Sequence, residues 1–227
     1  KVDVHTDDEV PSIAIIPFEN KGAEEDAFYA YGISVDLISD VSSAGLIRVP
    51  SLKRVEEVAD LSLDEKAIKL DVRYTVEGTL WKMDNMFQLS VELYDTKDKK
   101  VVWSDRWQEK WDNLPTIKVN LSDGLLKALD TKPKVEKKAD TTNPEAYEFY
   151  LKATHKYNKR KNTEDVEIVR GLLRKAIELD DTLINGKILL ATTYTDMSDF
   201  DKAMEIITSA LKQSKSLGDE QTIAHSL

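Results

Sequence analysis

Cysteine is absent from the 227-residue sequence, and histidine and glycine are scarce. Without cysteine, disulfides, thiolate nucleophiles and cysteine-ligated zinc are all excluded. The 3 histidines, His5, His155 and His225, have no second ligand at metal-binding spacing. The 8 glycines form neither GxGxxG nor GxxxxGK, and no serine lies in a GxSxG turn. We therefore predict no metal site, no cofactor site and no catalytic residue.

Long apolar runs and an excess of positive charge are missing as well. No segment approaches the ~20 consecutive apolar residues of a membrane span. The formal net charge is −10, whereas phosphate binding needs clustered cations that release counterions. The one dense basic stretch, 156–161, lies at a predicted helix end, where cations offset the helix dipole. The sequence thus argues against nucleic-acid binding and against membrane insertion by these residues.

The first part of the chain has the pattern of a small α/β domain over residues 11–130, preceded by a polar linker or tail at 1–10. A short apolar run at 12–18 predicts a strand buried on both faces. Residues 26–43 carry apolar side chains at helical spacing, with Gly45 just past the helix end. A second strand is predicted at 46–49.

Further along this part, the apolar period changes from helical to alternating. Ser62 and Glu65 form a capping-box pattern at the start of a short helix. Alternating segments, which predict half-buried strands, then follow at 72–79, 87–93 and 101–107. A helix is predicted at 112–129. The order β-α-β-α-β-β-β-α indicates a mixed sheet with helices packed on it, an α+β fold.

The second part of the chain is helical in pattern and internally repetitive. Residues 131–142 lack apolar periodicity and are interpreted as a linker. Asn143 and Pro144 then begin a helix. Apolar positions recur 34 residues apart, in the pairs Val169 and Ala203, Leu173 and Ile207, and Ala176 and Ala210. A period of 34 is that of the tetratricopeptide repeat (TPR). We predict an all-α TPR solenoid at 143–227, with a third repeat that begins near Glu220 and is truncated.

Four motifs in the first part resemble the TolB N-terminal-like domain of bacterial signalling proteins. They are SIAIIPFEN at 12–20, YGISVDLI at 31–38, VRYTVEGT at 72–79 and VVWSDR at 101–106. Residues 143–147 also resemble the usual junction to tetratricopeptide repeats in such proteins. The chain departs from the family pattern at Tyr31, where the family places aspartate, so a role of that carboxylate is not carried over.

In this family the pair of domains lies beyond a transmembrane helix. The other side of the membrane carries a class III adenylate or guanylate cyclase, a protein kinase, or the winged-helix DNA-binding domain of CadC-type regulators. The resemblance implies a non-catalytic sensor or interaction module, extracytoplasmic (periplasmic), with a transmembrane helix upstream of Lys1. The chain starts with Lys1 rather than methionine, so we expect upstream residues to have been removed.

The inner face of the predicted repeats is the main candidate binding surface, for a protein or peptide partner. It is lined by Glu148, Leu151, His155 and Asn158 from the first repeat and by Asn185, Ile188, Thr192 and Thr195 from the second. A second candidate is the turn formed by Glu19, Asn20 and Lys21, because sites in open sheets form at strand carboxyl ends. Trp107 and Trp111 are candidates for a partner surface if they are not core residues.

Three functions compete at this stage. The first is a binding or sensor module of a bacterial signalling protein, the second is a cytoplasmic TPR scaffold for complex assembly, and the third is a hydrolase that uses unrecognised carboxylates. A membrane anchor upstream distinguishes the first from the second. The third requires a deep pocket with convergent titratable groups. The formation of a homo-oligomer is compatible with the binding or sensor module.

Overall fold

The computed structural model describes residues 10–44, 47–131 and 141–217, with residues 216 and 217 described by their backbone only. It divides into two compact units, Lys1–Lys138 and Ala139–Leu227. Several sequence features lie outside the described residues: His5, His225, Gly45, most of the predicted linkers at 1–10 and 131–142, and the predicted third repeat from Glu220. None of the described helices is long and apolar enough to cross a membrane.

Over its described residues, the first unit contains a five-stranded mixed sheet and four α-helices. The strands are β1 (Ile13–Ile15), β2 (Glu19–Asn20), β3 (Tyr74–Met83), β4 (Met86–Asp95) and β5 (Lys100–Lys110). The helices are α1 (Ala27–Ser43), α2 (Leu52–Glu56), α3 (Leu63–Leu70) and α4 (Leu114–Ala128). Short 3-10 turns, Glu24–Asp26 and Trp111–Asn113, precede α1 and α4. The predicted α+β class is confirmed for this unit.

The sheet order is β1-β3-β4-β5, and β2 pairs with β3 as well. Strands β1 and β2 run parallel to β3, whereas β3, β4 and β5 form an antiparallel meander. Asp84 and Lys99, in the two turns of the meander, have positive φ angles of 51° and 53°. The short turns force the antiparallel pairing, since only a crossover connection can join parallel neighbours.

The core of the first unit lies where α1 and α4 pack against the sheet. Alternate residues of β4 point to one face and are buried, namely Phe87, Leu89, Val91 and Leu93. Each fully buried large side chain contributes about 1.5–3 kcal/mol. A second cluster, Ala14, Val55, Ala67, Leu70 and Val72, joins β1 to α2 and α3. The predicted capping box of α3 is present: Ser62 Oγ accepts from Glu65 N, and Glu65 Oε2 accepts from Ser62 N.

Two predictions for this unit are wrong. The segment 46–49 is not a strand, because its described residues form only an isolated parallel bridge between Ser12 and Arg48. Pro50 follows at once and has no N–H to extend a ladder. Conversely, Glu19 and Asn20, predicted to be a turn, form β2 against Thr79 and Leu80. Strand β3 is much longer than β1, so its free edge is available to this segment.

The second unit is a series of helices, each packed on the next: α5 (Pro144–Asn158), α6 (Thr163–Leu179), α7 (Ile184–Asp196) and α8 (Phe200–Leu217). The predicted start at Asn143 is confirmed, because its Oδ1 accepts from Glu145 N and Ala146 N at 3.0 and 3.1 Å. The small residues Ala176, Ala203 and Ala210 are buried. Small side chains at these positions let neighbouring helices approach closely.

Candidate functional site

The eight residues predicted to line the binding surface lie on two helices. Glu148, Leu151, His155 and Asn158 are on α5, and Asn185, Ile188, Thr192 and Thr195 are on α7. Seven of them are at least partly exposed, but Leu151 is buried. The structure places Leu151 in the core of the helical unit, on the same helical face as the buried Tyr147 and Thr154. Its predicted role in lining the surface is therefore wrong.

The α5 side of this surface is polar. Glu148 Oε1 lies 2.6 Å from Lys152 Nζ one turn later. His155 is half-buried, and this burial, with the nearby charges of Lys159 and Lys156, lowers its pKa below the ordinary 6.5. The imidazole is therefore neutral at pH 7, with one donor and one acceptor nitrogen. Asn158 Nδ2 donates to Thr154 O at 2.9 Å, which leaves its side-chain carbonyl oxygen directed away from that bond.

On the α7 side, two threonines bond back to their own helix. Thr192 Oγ1 donates to Ile188 O at 2.9 Å, and Thr195 Oγ1 donates to Ala191 O at 3.2 Å. A hydroxyl that donates in this way still has lone pairs to accept from a ligand. Asn185 is half-exposed, whereas Ile188 packs partly against Ile184 and Ala210. This side therefore offers hydrogen-bond acceptors beside a small apolar contact.

The carboxyl-terminal ends of α5 and α7 are tied together by a cluster that was not predicted. Tyr157 Oη donates to Asp196 Oδ2 at 2.7 Å, and Arg160 Nη2 donates to the same oxygen at 3.0 Å. The Arg160 guanidinium also lies 3.8 Å from the Tyr157 ring centroid. Burial, followed by the hydrogen bond and charge of Asp196, raises the pKa of Tyr157 to about 12. These contacts hold the two candidate helices in one relative position.

The basic stretch 156–161 contributes to this cluster and to the next turn. Besides the Arg160 contact, Lys156 Nζ lies 2.6 Å from Asp165 Oδ1. Its cations therefore pair with carboxylates in addition to offsetting the dipole of α5. A depression of about 590 Å³ lies beside the cluster, lined by Arg160, Lys161, Asn162, Thr163, Val166, Asp196 and Met197. The sequence signal for the Arg160 contact was only a basic run followed, about one repeat later, by Asp196.

A second unpredicted contact fixes α7 against α6. Arg170 is buried, and its Nε and Nη2 donate to Thr193 Oγ1 and Thr193 O at 3.1 and 2.9 Å. The Arg170 guanidinium lies 3.9 Å from the Tyr194 ring centroid, and Arg174 Nη2 donates to Tyr194 Oη at 2.7 Å. Planar guanidinium groups suit this combination of stacking and forked donation. The exposed threonines of α7 are thus held on a fixed helix.

The second candidate site, Glu19, Asn20 and Lys21, lies on and just after β2. Asn20 shapes the following turn, because its Oδ1 accepts from Gly22 N at 3.1 Å and its Nδ2 donates to Ala23 O at 2.6 Å. Glu19 and Lys21 are exposed and pair with each other at 2.6 Å. The three residues therefore lie next to one another in the structure. The side-chain amide of Asn20 is already hydrogen-bonded to the backbone of the turn.

The tryptophans divide between core and surface. Trp111 is buried and packs edge-on against Tyr29, with ring centroids 4.3 Å apart, so it is a core residue and not part of a partner surface. Trp107 is half-exposed and lies beside Trp103, with centroids 6.4 Å apart. Trp81 is exposed. The alternation of the meander alone does not tell which face α1 and α4 cover.

A buried ionic cluster joins α1 to α4. Lys118 Nζ lies 3.0 Å from Asp36 Oδ2 and 2.7 Å from Asp40 Oδ2, and all three side chains are buried. The sequence signal was a pair of aspartates one turn apart on a helix with no other charged residue. Nearby on α1, Tyr31 Oη donates to Glu56 Oε1 at 3.1 Å, and burial raises the pKa of Tyr31 well above its ordinary value. Tyr31 thus anchors α1 to α2 at the position where the resembled family has aspartate.

Comparisons with known proteins give partial similarities. No protein-family model matches the chain. The chain is 23% identical over 180 residues to "Putative adenylate cyclase 3" of Rhizobium meliloti (strain 1021), covering 75% of this chain and 30% of that protein. The chain therefore spans less than a third of the length of the curated relative it matches.

Three solved structures are similar to part of the chain. TolB from Acinetobacter baumannii matches with a TM-score of 0.40 and 18% identity, over 53% of this chain and 28% of that chain. A PelC dodecamer from Paraburkholderia phytofirmans matches with a TM-score of 0.38 and 18% identity, over 54% and 90%. A lipoprotein from Neisseria meningitidis matches with a TM-score of 0.36 and 16% identity, over 44% and 79%. The structural neighbours of this chain thus include TolB and lipoprotein folds.

Proposed function

We propose that this chain is a non-catalytic interaction module that binds a protein or peptide on the exposed polar face of α5 and α7. The observation that carries the proposal is the contact between the ends of these two helices, where Tyr157 Oη donates to Asp196 Oδ2 at 2.7 Å. Both helices also pack on α6, so their exposed side chains need little reorganisation to meet a partner. His155, Asn158, Thr192 and Thr195 supply the polar contacts, and Glu19 and Lys21 form a separate, second surface.

The α5–α8 series is, in this proposal, a tetratricopeptide array. Its support is the burial of Val169, Leu173 and Ala176 on α6 and of Ala203 and Ala210 on α8 at the 34-residue offset. Repeats of this kind stack into a continuous surface with an open inner face. A linear peptide or a partner helix fits such a face better than a small molecule does.

The module belongs, in this proposal, to a larger signalling protein with an extracytoplasmic sensor region. The support is the similarity to a Rhizobium meliloti protein named as an adenylate cyclase, of which this chain spans 30%. A cyclase output domain would then lie in a part of the protein outside these residues. An alkaline phosphatase fusion to the native gene product, joined directly after the residue numbered Thr131 in this sequence, tests the location. Phosphatase activity supports an extracytoplasmic module, and an inactive but full-length fusion favours a cytoplasmic scaffold.

The binding proposal is tested by site-specific photocrosslinking in the cells that make the protein. The photoreactive amino acid p-benzoylphenylalanine replaces His155 in one variant and Glu178, an exposed residue of α6, in the matched control. We expect the position 155 variant to form one discrete crosslinked species and the position 178 variant to form none.

A second substitution then identifies the surface. Adding Thr192→Arg to the position 155 variant places a long cation on the facing helix and should abolish the crosslink. A crosslink that survives Thr192→Arg, or that forms equally well from position 178, would contradict binding on the α5–α7 face.

A further inference from the structure

Helices α6 and α8 occupy equivalent places in the 34-residue register, but only α6 has its outer face covered. On α6, Val166 and Arg170 are 5% and 7% exposed, and Arg170 bonds to α7. The residues 34 positions later are Phe200 and Met204 of α8, each 63% exposed. The same helical face is therefore buried in one helix and open to solvent in the other.

The uncovered face of α8 is apolar in its first half. Phe200 and Met204 are one turn apart, and Leu211 continues the face two turns later with partial exposure. Contiguous large apolar side chains on one helix face mark an interaction surface more often than single ones do.

The charged residues beside this face are segregated by sign. Asp201 and Glu205 lie in the first half of α8, and Lys212 and Lys215 lie in the second half; all four are exposed. Thr208, which is uncharged and exposed, lies between the two halves. A second α8 laid antiparallel across Thr208 would place Glu205 beside the second copy's Lys212, and Asp201 beside the second copy's Lys215. Opposite charges then meet on the same side of the helix pair.

We propose that two copies of the chain associate through α8, antiparallel about a two-fold axis at Thr208. In this arrangement Met204 contacts the second copy's Leu211, Phe200 is covered by the end of the second α8, and the helix dipoles oppose. The interface is isologous, so each favourable contact occurs twice. Glu205 already lies 2.9 Å from Lys202 of its own helix, but an exposed pair of this kind contributes little and leaves Glu205 able to turn to a second copy.

Sedimentation velocity of the whole chain from about 1 to 100 µM tests the association. We expect a reversible monomer–dimer equilibrium in the wild-type protein. Met204→Glu should raise the dimer dissociation constant by at least about tenfold, because it places a charge in the apolar contact. The matched control is Ile168→Glu, on α6, where the side chain is 47% exposed but lies outside the α8 face. The control should leave the dissociation constant unchanged.

A charge exchange tests the antiparallel arrangement. Glu205→Lys alone should weaken the dimer, and Glu205→Lys combined with Lys212→Glu should restore it. Circular dichroism should show the same helicity in every variant, since all four altered side chains are exposed. A wild-type chain that stays monomeric would overturn the proposal, and so would a Met204→Glu variant that dimerises as tightly as the wild-type chain. A double variant that fails to recover would overturn the antiparallel register.

Discussion

The two units connect their elements over different distances in the sequence. In the sheet unit, Lys118 of α4 meets Asp36 and Asp40 of α1, with the whole meander between them in the chain. In the helical unit, Arg170 of α6 meets Thr193 and Tyr194 of the next helix. In the sheet unit, the buried ion pairs thus connect helices that are far apart in the sequence. In the helical unit, the buried arginine connects two consecutive helices. The sheet unit should therefore lose its structure as a whole, and the helical unit should tolerate local changes better.

The chain provides separate probes for this comparison. All 4 tryptophans, at positions 81, 103, 107 and 111, lie in the first unit. Tryptophan fluorescence therefore follows the sheet unit alone. Far-UV circular dichroism at 222 nm is weighted toward the helical unit. Urea unfolding followed by both signals shows which unit a substitution affects.

The largest expected effect is that of Lys118→Met. The substitution leaves Asp36 and Asp40 buried without the ammonium group, which should cost about 3–5 kcal/mol of unfolding free energy. The fluorescence transition should move to lower urea concentration, and the part of the circular dichroism transition that belongs to the helical unit should stay in place. Lys127→Met, on an exposed position of the same helix, is the control. Equal stability of the two variants would show that the ionic cluster does not hold the sheet unit together.

A smaller effect, confined to the helical unit, is expected from Ala210→Leu. Ala210 is fully buried on α8, so the added atoms should overpack the α7–α8 contact and destabilise it by about 1–3 kcal/mol. The circular dichroism transition should move while the fluorescence transition stays in place. Ser209→Leu, one residue earlier and exposed, should have little effect. A change in both transitions would show that the two units do not unfold independently.

Two glycines within helices, one in each unit, allow the units to be compared by the addition of a single methyl group. A Cβ added at Gly124 of α4 would lie 2.6 Å from Trp103 Cζ2, whereas one added at Gly171 of α6 would meet nothing within 4 Å. Both changes to alanine gain helix propensity, so the difference isolates the steric conflict. We expect Gly171→Ala to stabilise the helical unit by up to about 1 kcal/mol and Gly124→Ala to destabilise the sheet unit by about 1 kcal/mol. Stabilisation by both would show that Trp103 moves aside freely.

The smallest expected effect depends on pH and concerns the candidate site itself. Burial lowers the pKa of His155, so its neutral form stabilises the folded helical unit above the ordinary value of 6.5. That contribution is lost as pH falls through 6.5 and below, because the unfolded chain binds the proton more readily. In His155→Gln, the melting temperature of the helical unit should fall by about a degree or two less between pH 7 and pH 5. An identical fall in melting temperature in both proteins would contradict the lowered pKa of His155.

Local sequence signals predicted most elements of both units. The alternation of Phe87, Leu89, Val91 and Leu93 predicted β4, because one covered face imposes a period of two. The capping residues Ser62 and Asn143 predicted the starts of α3 and α5, since the capping bond is made to the first turn of the same helix. The errors occurred where a distant partner decides the outcome. Glu19 and Asn20 became a strand only because the free edge of β3 lies beside them.

The candidate site shows the same division. The eight residues of α5 and α7 were predicted from helical spacing, but spacing does not reveal how far each side chain is covered by the neighbouring helix. Leu151 proved to be buried for that reason. The Tyr157–Arg160–Asp196 cluster was missed because it joins the ends of two helices that are not consecutive in the chain.

By itself, the sequence determined most of the helices and strands, where several of them begin, and that metal ligation by cysteine is impossible. These properties follow from backbone preferences, caps and apolar periods, all of which act within a few residues. Only the tertiary structure decided that Trp111 is core and that Lys118 pairs with two buried aspartates. It also decided that Phe200 and Met204 stay open while their counterparts on α6 are covered. Burial and ion pairing depend on which distant surfaces meet, and the free energy of those contacts belongs to the folded chain as a whole.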